Sequence, residues 1–306
     1  MPLSENRVAP NDEIQKEKLI TQYREKIKKD GKKLSDVLSK LYDEGKKFVL
    51  VGENHTQIDV VHKAVQASLP QLKTQGLTHL FLENGRDLQP IIDGLDTSMS
   101  DNNCILYLES NGIRGTFLSK ENLNTMIVAK RLGFKVVFID DPISVQNKYV
   151  EQRIPYKKRH FMDHEQRERL EELSKSEQNT RDKNMFDTLQ NSIDDDQSKG
   201  LIIIGSTHVR KTKGEPTINN ESWVRRLGSR MIEKYGDKVS SIRYLYSGSS
   251  MDDIYRSNKP APKDIYPKLQ DVLAEPTGVI VMKDEGLFAG DKRVVDSDFV
   301  LIPTIE

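Results

Sequence analysis

Acidic residues and histidines follow three apolar stretches of this 306-residue chain, at the point where each stretch ends. Glu53 and His55 come after FVLVG, Glu83 ends THLFLE, and His208 follows LIIIGST. An imidazole takes or gives a proton near neutral pH, and a carboxylate orients it. The same groups are ligands for Zn²⁺ or Mn²⁺. The four residues are therefore the candidate catalytic site, either for proton transfer or for metal chemistry.

The stretches that carry these residues belong to a series of short runs rich in Val, Ile, Leu and Phe. The runs lie at 47–52, 78–83, 135–140, 200–205, 241–246 and 278–283. Continuous apolar runs are typical of strands buried on both faces, and the long segments between them predict crossover helices. We therefore expect an α/β fold with a central, mainly parallel sheet, helices on both faces, and a helical excursion at about 143–198. Ligands bind outside the carboxyl ends of such strands, which is where the four residues fall.

The sequence predicts one α/β domain at 11–306. Its parts are a flexible leader at 1–10, two amphipathic helices at 11–45, a core at 46–142 and 200–306, and a helical insertion at 143–199. The first half of the insertion is polar on all sides and is predicted to be solvated. Its second half carries Met185 and Leu189, four residues apart, and is predicted to pack on the sheet. The proline-rich segment 247–275 is predicted to be a loop or flap.

Several of these polar residues also have a purely structural interpretation. Glu53 is equally suited to capping the following helix, since an acid near a helix N-terminus is favourable. Asp140 and Asp141 precede Pro142, a pattern typical of a turn. His62 is predicted to pack or hydrogen-bond in support of the site. Three further histidines are predicted to lie on the surface: His79, His160 and His164.

Composition excludes some functions. The 47 basic and 47 acidic residues balance, which argues against a dedicated nucleic-acid binder. The single cysteine, Cys104, excludes an internal disulfide and is predicted to be a small buried residue. No apolar run approaches the roughly 20 residues of a membrane span, and the first residues carry no apolar signal segment. We expect a cytoplasmic protein, or one secreted into a host cell by a non-classical route.

At these residues the chain resembles the erythromycin-esterase/ChaN-like (Tiki) superfamily. VGENHTQIDVVH is similar to its Gly-Glu-x-His…His opening, and FLENGRD to its strand-end Glu. TRDKNM is similar to its Arg-Asp-x-x-Met helix, and IIGSTHV and GEP to its last elements. The matches keep their order over 47–217. The branch that contains the Ras/Rap-specific endopeptidase toxin module shares a Glu-x-His, a strand-end Glu and a late His, which correspond to Glu53, His55, Glu83 and His208.

The resemblance implies an α/β fold but several activities. Members include macrolide esterases, haem-binding ChaN-like lipoproteins, metal-dependent Tiki proteases and toxin endopeptidases. The chain lacks the lipoprotein signal of the haem binders. It also has Gly-Glu-x-His where Tiki proteins carry an apolar residue or Thr. Haem, with His208 or His62 as its ligand, and a divalent metal therefore stay as alternatives to a site without a cofactor.

The leading hypothesis is a metal-independent hydrolase of an amide or ester bond, a peptidase or an esterase. Because no Gly-x-Ser-x-Gly motif is present, we expect water to be the nucleophile. His55 is predicted to be the general base, oriented by Glu53 or Glu83. His208 is predicted to protonate the leaving group or polarise the carbonyl.

Supporting or substrate-binding roles are predicted for His62, Arg86, Arg181, Asp182 and Arg210. Arg181 is expected to stabilise the oxyanion or to hold a substrate carboxylate. The resemblance implies a bacterial effector that acts on a host protein, such as a small GTPase.

Overall fold

The computed structural model describes residues 17–18, 21, 24–25, 27–55, 58–113, 119–145, 164–211, 225–244, 279–283 and 297–303, with the backbone alone at 164–175 and over most of the last two strands. The predicted leader at 1–10, His160 and the whole predicted flap at 247–275 lie outside these residues, as does the side chain of His164. The described residues between 17 and 30 are helical, as predicted for the first of two N-terminal helices.

The strands are β1 (Lys32–Lys33), β2 (Phe48–Glu53), β3 (His79–Gly85), β4 (Lys135–Asp140), β5 (Gly200–Gly205), β6 (Val239–Tyr244), β7 (Val279–Lys283) and β8 (Phe299–Pro303). The helices are α1 (Leu34–Asp43), α2 (Ile58–Thr74), α3 (Gln89–Asp93), α4 (Asp101–Ser110), α5 (Lys120–Arg131), α6 (His164–Ser192) and α7 (Leu227–Tyr235). All six predicted strands are present. The short β1 and the last strand, β8, were not predicted.

The strands form one sheet in the order β1-β7-β8-β6-β2-β5-β3-β4. Among the described strands, the six from β8 to β4 pair in parallel, whereas β7 is antiparallel to both of its neighbours. The predicted α/β fold with a mainly parallel sheet is therefore confirmed. In this order β5 lies between β2 and β3, so three strands that carry candidate residues are neighbours.

Alternate residues of the strands enter two separate apolar cores, one on each face of the sheet. On one face Val49 and Leu80 pack with α1, α2 and α5. On the other face Leu50 and Phe81 pack with α6 and α7. This alternation follows from the two-residue period of a strand and confirms that helices cover both faces.

Helix α6 brings the predicted insertion back to the sheet. Its residues Met185 and Leu189 are fully buried against the second core, which confirms the prediction for the second half of the insertion. The helix begins at His164, well after the end of β4. Its last residue, Ser192, lies beside the amino end of β3. Among the described residues, no helix combines the length and apolarity needed to cross a membrane.

The surface position predicted for His79 is wrong. At the start of β3 the ring is 2% exposed and stacks on Phe81 at 5.4 Å. Its Nε2 lies 3.1 Å from the carbonyl oxygen of Ser192, and its Nδ1 lies 2.7 Å from the Thr78 hydroxyl, which is also 3.0 Å from the carbonyl oxygen of Lys199. Burial and the charge of Lys135 lower the pKa of His79, so the ring is neutral and joins the end of α6 to the sheet.

Leu189→Ala tests whether α6 is held by the second core. The side chain is fully buried, so we expect a loss of about 2–5 kcal/mol in the free energy of unfolding. Leu106→Ala is the matched control, because Leu106 is 62% exposed and its loss should change stability by less than about 0.5 kcal/mol. Urea unfolding of both variants measures the difference. Equal stabilities would show that α6 does not pack as described.

Candidate active site

Three neighbouring strands bring the predicted residues together at the carboxyl edge of the sheet. Glu53 is the last residue of β2, Glu83 lies near the end of β3, and His208 follows β5 by three residues. Because β5 pairs with both β2 and β3, their carboxyl ends meet. His55 follows β2 directly, and its side chain, 37% exposed, is the most accessible of the four.

Gly205, the last residue of β5, lies at the centre of this cluster. Its amide donates to Glu83 Oε2 over 2.5 Å. A Cβ at this position would lie 3.0 Å from His55 Nε2 and 3.1 Å from Glu83 Oε2. The absence of a side chain at Gly205 therefore lets the imidazole and the carboxylate approach the same point from two strands.

Arg181, on α6, binds two buried carboxylates at once. Its NH2 group donates to Glu83 Oε1 over 2.5 Å and to Asp140 Oδ2 over 2.6 Å, and its Nε donates to Asp140 Oδ1 over 2.7 Å. Burial raises the pKa of Glu83, but Arg181, His208, His55 and the Gly205 amide outweigh it and lower that pKa to about 2. Burial and the charge of Glu83 raise the pKa of Asp140 in spite of Arg181. Glu83 therefore keeps its negative charge to a lower pH than Asp140 does.

His208 lies between two carboxylates. Its Nδ1–H donates to Asp182 Oδ1 over 2.7 Å, and its Nε2 lies 3.7 Å from Glu83 Oε1. Asp182, fully buried, is fixed in turn by the Leu227 amide over 2.8 Å and lies 3.4 Å from Arg226 NH1. Burial lowers the pKa of His208, but the charges of Asp182 and Glu83 outweigh it and raise this pKa above its ordinary value. The surroundings of His208 therefore favour its protonated form.

Glu53 lies between two histidines. Its Oε2 is 3.1 Å from Nε2 of His62, and its Oε1 is 3.7 Å from Nδ1 of His55. His62, on α2, is fully buried and also contacts Thr125 on α5. The supporting position predicted for His62 is therefore present, and the Glu53 side chain faces the site.

Two of the predicted supporting arginines lie apart from this cluster. Arg86 lies in the short 3₁₀ helix after β3 and faces Asp141 and Thr188, at 3.5 and 3.3 Å. Arg210 follows His208 by two residues and is half-buried. Burial lowers the pKa of Arg226, and the charge of Arg210 lowers it further. Their predicted roles in substrate binding stay predictions.

Two residues of the site were missed. The turn predicted at Asp140 is wrong, because Asp140 is 1% exposed, ends β4 and binds Arg181. Its signal in the sequence is an acid that ends an apolar strand, the same signal that identified Glu83. Thr125, in the middle of α5, carries no signal of this kind.

The donor atoms of the cluster are already engaged with one another. Glu83 and Asp140 bind Arg181, and His62 has a partner at each ring nitrogen. Within the described part of the chain, no three His, Cys, Asp or Glu side chains are grouped as ligands of a metal ion.

The two histidines suggested as haem ligands have polar neighbours at their ring nitrogens. His62 is fully buried with both nitrogens in contact with polar groups. Nδ1 of His208 binds Asp182, and its Nε2 lies 3.7 Å from Glu83 Oε1. Haem binding stays an alternative.

The fold and the site define an α/β protein with a buried cluster of carboxylates, histidines and an arginine at the carboxyl edge of its sheet. No family model and no curated protein matches the chain. Solved structures do match. The chain is similar to a succinoglycan biosynthesis protein, with a TM-score of 0.55 and 11% identity over 94% of this chain and 96% of that one.

It is also similar to ChaN of Campylobacter jejuni, a protein that binds haem cofacially, with a TM-score of 0.51 and 16% identity over 88% of this chain and 91% of that one. A looser match is to RRSP, a MARTX toxin effector domain from Vibrio vulnificus, with a TM-score of 0.41 and 21% identity over 68% of this chain and 35% of that one. The resemblance to ChaN-like proteins seen in the motifs is therefore confirmed at the level of the fold.

Glu83→Gln tests the charge state of the cluster. The pKa of Glu83 is about 2 in the folded protein against 4.5 ordinarily, so its ionisation stabilises the fold above pH 4.5, and that contribution is lost as the pH falls toward 2. The stability gap between the wild type and Glu83→Gln should therefore shrink by on the order of 3 kcal/mol over this window. Urea unfolding at a series of pH values measures it, with the exposed Glu44→Gln as control. A gap that does not depend on pH would contradict the assignment.

Proposed function

We propose that the chain is a hydrolase of an amide or ester bond, a peptidase or an esterase, that uses water as the nucleophile and no resident metal ion. The observation that carries this proposal is the pairing of an accessible histidine, His55, with a buried one held between two carboxylates, His208, around Glu83. A base and an acid held on either side of one reaction site are what hydrolysis requires.

His55 is the general base of this proposal. It is the accessible member of the cluster, and Glu53 lies 3.7 Å from its Nδ1. Hydrogen bonds of catalytic groups are often long before the substrate is bound. A carboxylate at Nδ1 keeps the proton on that nitrogen, so Nε2 is left to take a proton from water. Nε2 lies beside Gly205, 3.0 Å from where a Cβ of that residue would be.

His208 is the acid. Asp182 holds its Nδ1–H, and the charges of Asp182 and Glu83 raise its pKa, so the ring carries a proton to give to the leaving group or to hold against a polarised carbonyl. Arg181 sets the charge of the cluster in this proposal, since its Nε and NH2 groups bind Asp140 and Glu83. Its predicted contact with the oxyanion or a substrate carboxylate stays a prediction.

The proposal of a metal-independent reaction rests on the chemistry of the donor atoms. Both oxygens of Glu83 accept hydrogen bonds, from Arg181 and from the Gly205 amide. A metal ion bound there would have to displace a guanidinium held between two carboxylates.

The substrate class is the part of the proposal that rests on the motifs alone. The order of Glu53, His55, Glu83 and His208 resembles that of the Ras/Rap-specific endopeptidase, so we propose a protein substrate such as a small GTPase, and a role as an effector inside a host cell. Incubation of the pure protein with a panel of small GTPases and with ester substrates tests this directly. Parallel reactions with EDTA test the metal-dependent alternative, and absorption in the Soret region after addition of haem tests the haem-binding alternative.

His55→Ala should lower turnover by about 10²–10⁴-fold, the usual contribution of a general base. The melting temperature should change by only a few degrees, because an accessible side chain contributes little packing. Lys63→Ala, at an exposed position of the following helix, is the control and should keep full activity. Wild-type turnover in His55→Ala would remove His55 from the mechanism.

Asp182→Asn should shift the pH dependence of the reaction. If His208 must be protonated, activity falls as the pH rises through the pKa of His208, which lies above 6.5. Replacing Asp182 removes a charge that raises this pKa, so the basic limb of the profile of kcat/KM should move to lower pH. Asp187→Asn, on the same helix, should leave the limb in place. An unmoved basic limb in an active Asp182→Asn variant would rule out His208 as the acid.

A further inference from the structure

The contact between Glu53 and His62 raises the question of which atoms carry protons. Glu53 Oε2 and His62 Nε2 are 3.1 Å apart, with the ring fully buried. A carboxylate oxygen and an unprotonated ring nitrogen both present lone pairs, so a contact of this length needs a proton between them. Whether Glu53 and His62 together hold one proton or two depends on whether the other ring nitrogen, Nδ1, also carries one.

Thr125 determines the state of that second nitrogen. Its hydroxyl lies 2.8 Å from the carbonyl oxygen of Glu121 and 3.0 Å from Nδ1 of His62. The shorter of the two contacts is the one to Glu121, four residues earlier in the same helix, and a helical Thr hydroxyl commonly donates to that carbonyl oxygen. The hydroxyl oxygen then accepts from its other two neighbours, Nε2 of Gln66 at 3.1 Å and Nδ1 of His62. Nδ1 of His62 therefore carries a hydrogen.

With one proton fixed on Nδ1, the proton between Nε2 and Glu53 is a second one. It makes His62 a cation beside an anionic Glu53, or it makes Glu53 a neutral acid beside a neutral ring. In both cases the pair has no net charge.

Asn122 does not change the number of protons that Glu53 and His62 hold. Its side-chain nitrogen is 3.0 Å from His62 Nε2, and its side-chain oxygen is buried without a hydrogen-bond partner among the described residues. Exchanging the two amide atoms, which are assigned and not observed, gives the oxygen a partner and leaves the nitrogen without one. Neither orientation supplies a proton to the Glu53 contact.

We propose that Glu53 and His62 hold one shared proton as an electrically neutral pair, and that His62 is a positioning residue of the site. This inference rests on the proposed function for its catalytic meaning. Within the described part of the chain, Glu53 from β2 and Glu83 from β3 are acids that face His55, and His62 neutralises the first. Glu83, paired with Arg181 and His208, is then the anion that belongs to the catalytic cluster. Glu53 Oε1, 3.7 Å from Nδ1 of His55, then lies beside this histidine without adding a second uncompensated charge.

Long-range ¹H–¹⁵N correlation spectra of the full chain, labelled with ¹⁵N-histidine, test the proposal without any substrate. The His62 signals are assigned by their loss in His62→Gln. We expect Nδ1 to be protonated near neutral pH, either together with Nε2, or alone with an infrared band of a protonated carboxyl group that disappears in Glu53→Gln. A neutral ring protonated only at Nε2 would overturn the proposal. So would a ring protonated only at Nδ1 without that infrared band.

Thr125 offers a matched pair of variants. Thr125→Val removes the acceptor at Nδ1, so His62 should change to the neutral ring protonated at Nε2, and kcat/KM should fall. Thr125→Ser keeps the hydroxyl and should keep both the wild-type spectrum and the activity. An unchanged spectrum in Thr125→Val would overturn the proposal. Because the spectra need no turnover, failure to find a hydrolytic activity and failure of the shared proton are separate results.

Discussion

The bridge from Arg181 to Glu83 and Asp140 is the interaction on which the site depends. Two carboxylates buried side by side cannot both ionise unless a cation lies between them. Arg181 supplies that cation with geometry that satisfies three carboxylate oxygens at once. A buried ion pair of this kind contributes little net stability, because desolvation offsets most of the attraction. What it provides is a fixed arrangement of charge next to His208 and His55.

Much of this arrangement follows from the sequence, because the strands are continuous apolar runs and parallel strands place their carboxyl ends at one edge. That reasoning located Glu53, Glu83 and His208 before any contact was known. It failed at Asp140, where the Asp-Pro pattern of a turn was given more weight than the acid at the end of an apolar run. It also failed at His79, because a histidine at the start of a strand gives no sign that the end of α6 will cover it.

The proton count at His62 lies beyond sequence analysis for a physical reason. It depends on the hydroxyl of Thr125, which comes from a helix more than sixty positions away, and on the direction of one hydrogen bond to Glu121. Spacing along the chain predicts which face of a helix a residue occupies, but not which of two acceptors a hydroxyl selects. The acceptor of the Thr125 hydroxyl is determined only when α2 and α5 are packed together.

Arg181 and Asp182 are consecutive residues of α6, yet one binds the ends of β3 and β4 and the other binds His208 beyond β5. The partners of the cluster lie far apart along the chain: Glu83 is separated by 98 residues from Arg181 and by 122 from Gly205. As the chain is synthesised from its amino end, the strands that carry Glu53 and Glu83 are therefore made long before their partners. The cluster can assemble only after residue 208 has left the ribosome, so a nascent chain that stops earlier lacks the partner of Asp182.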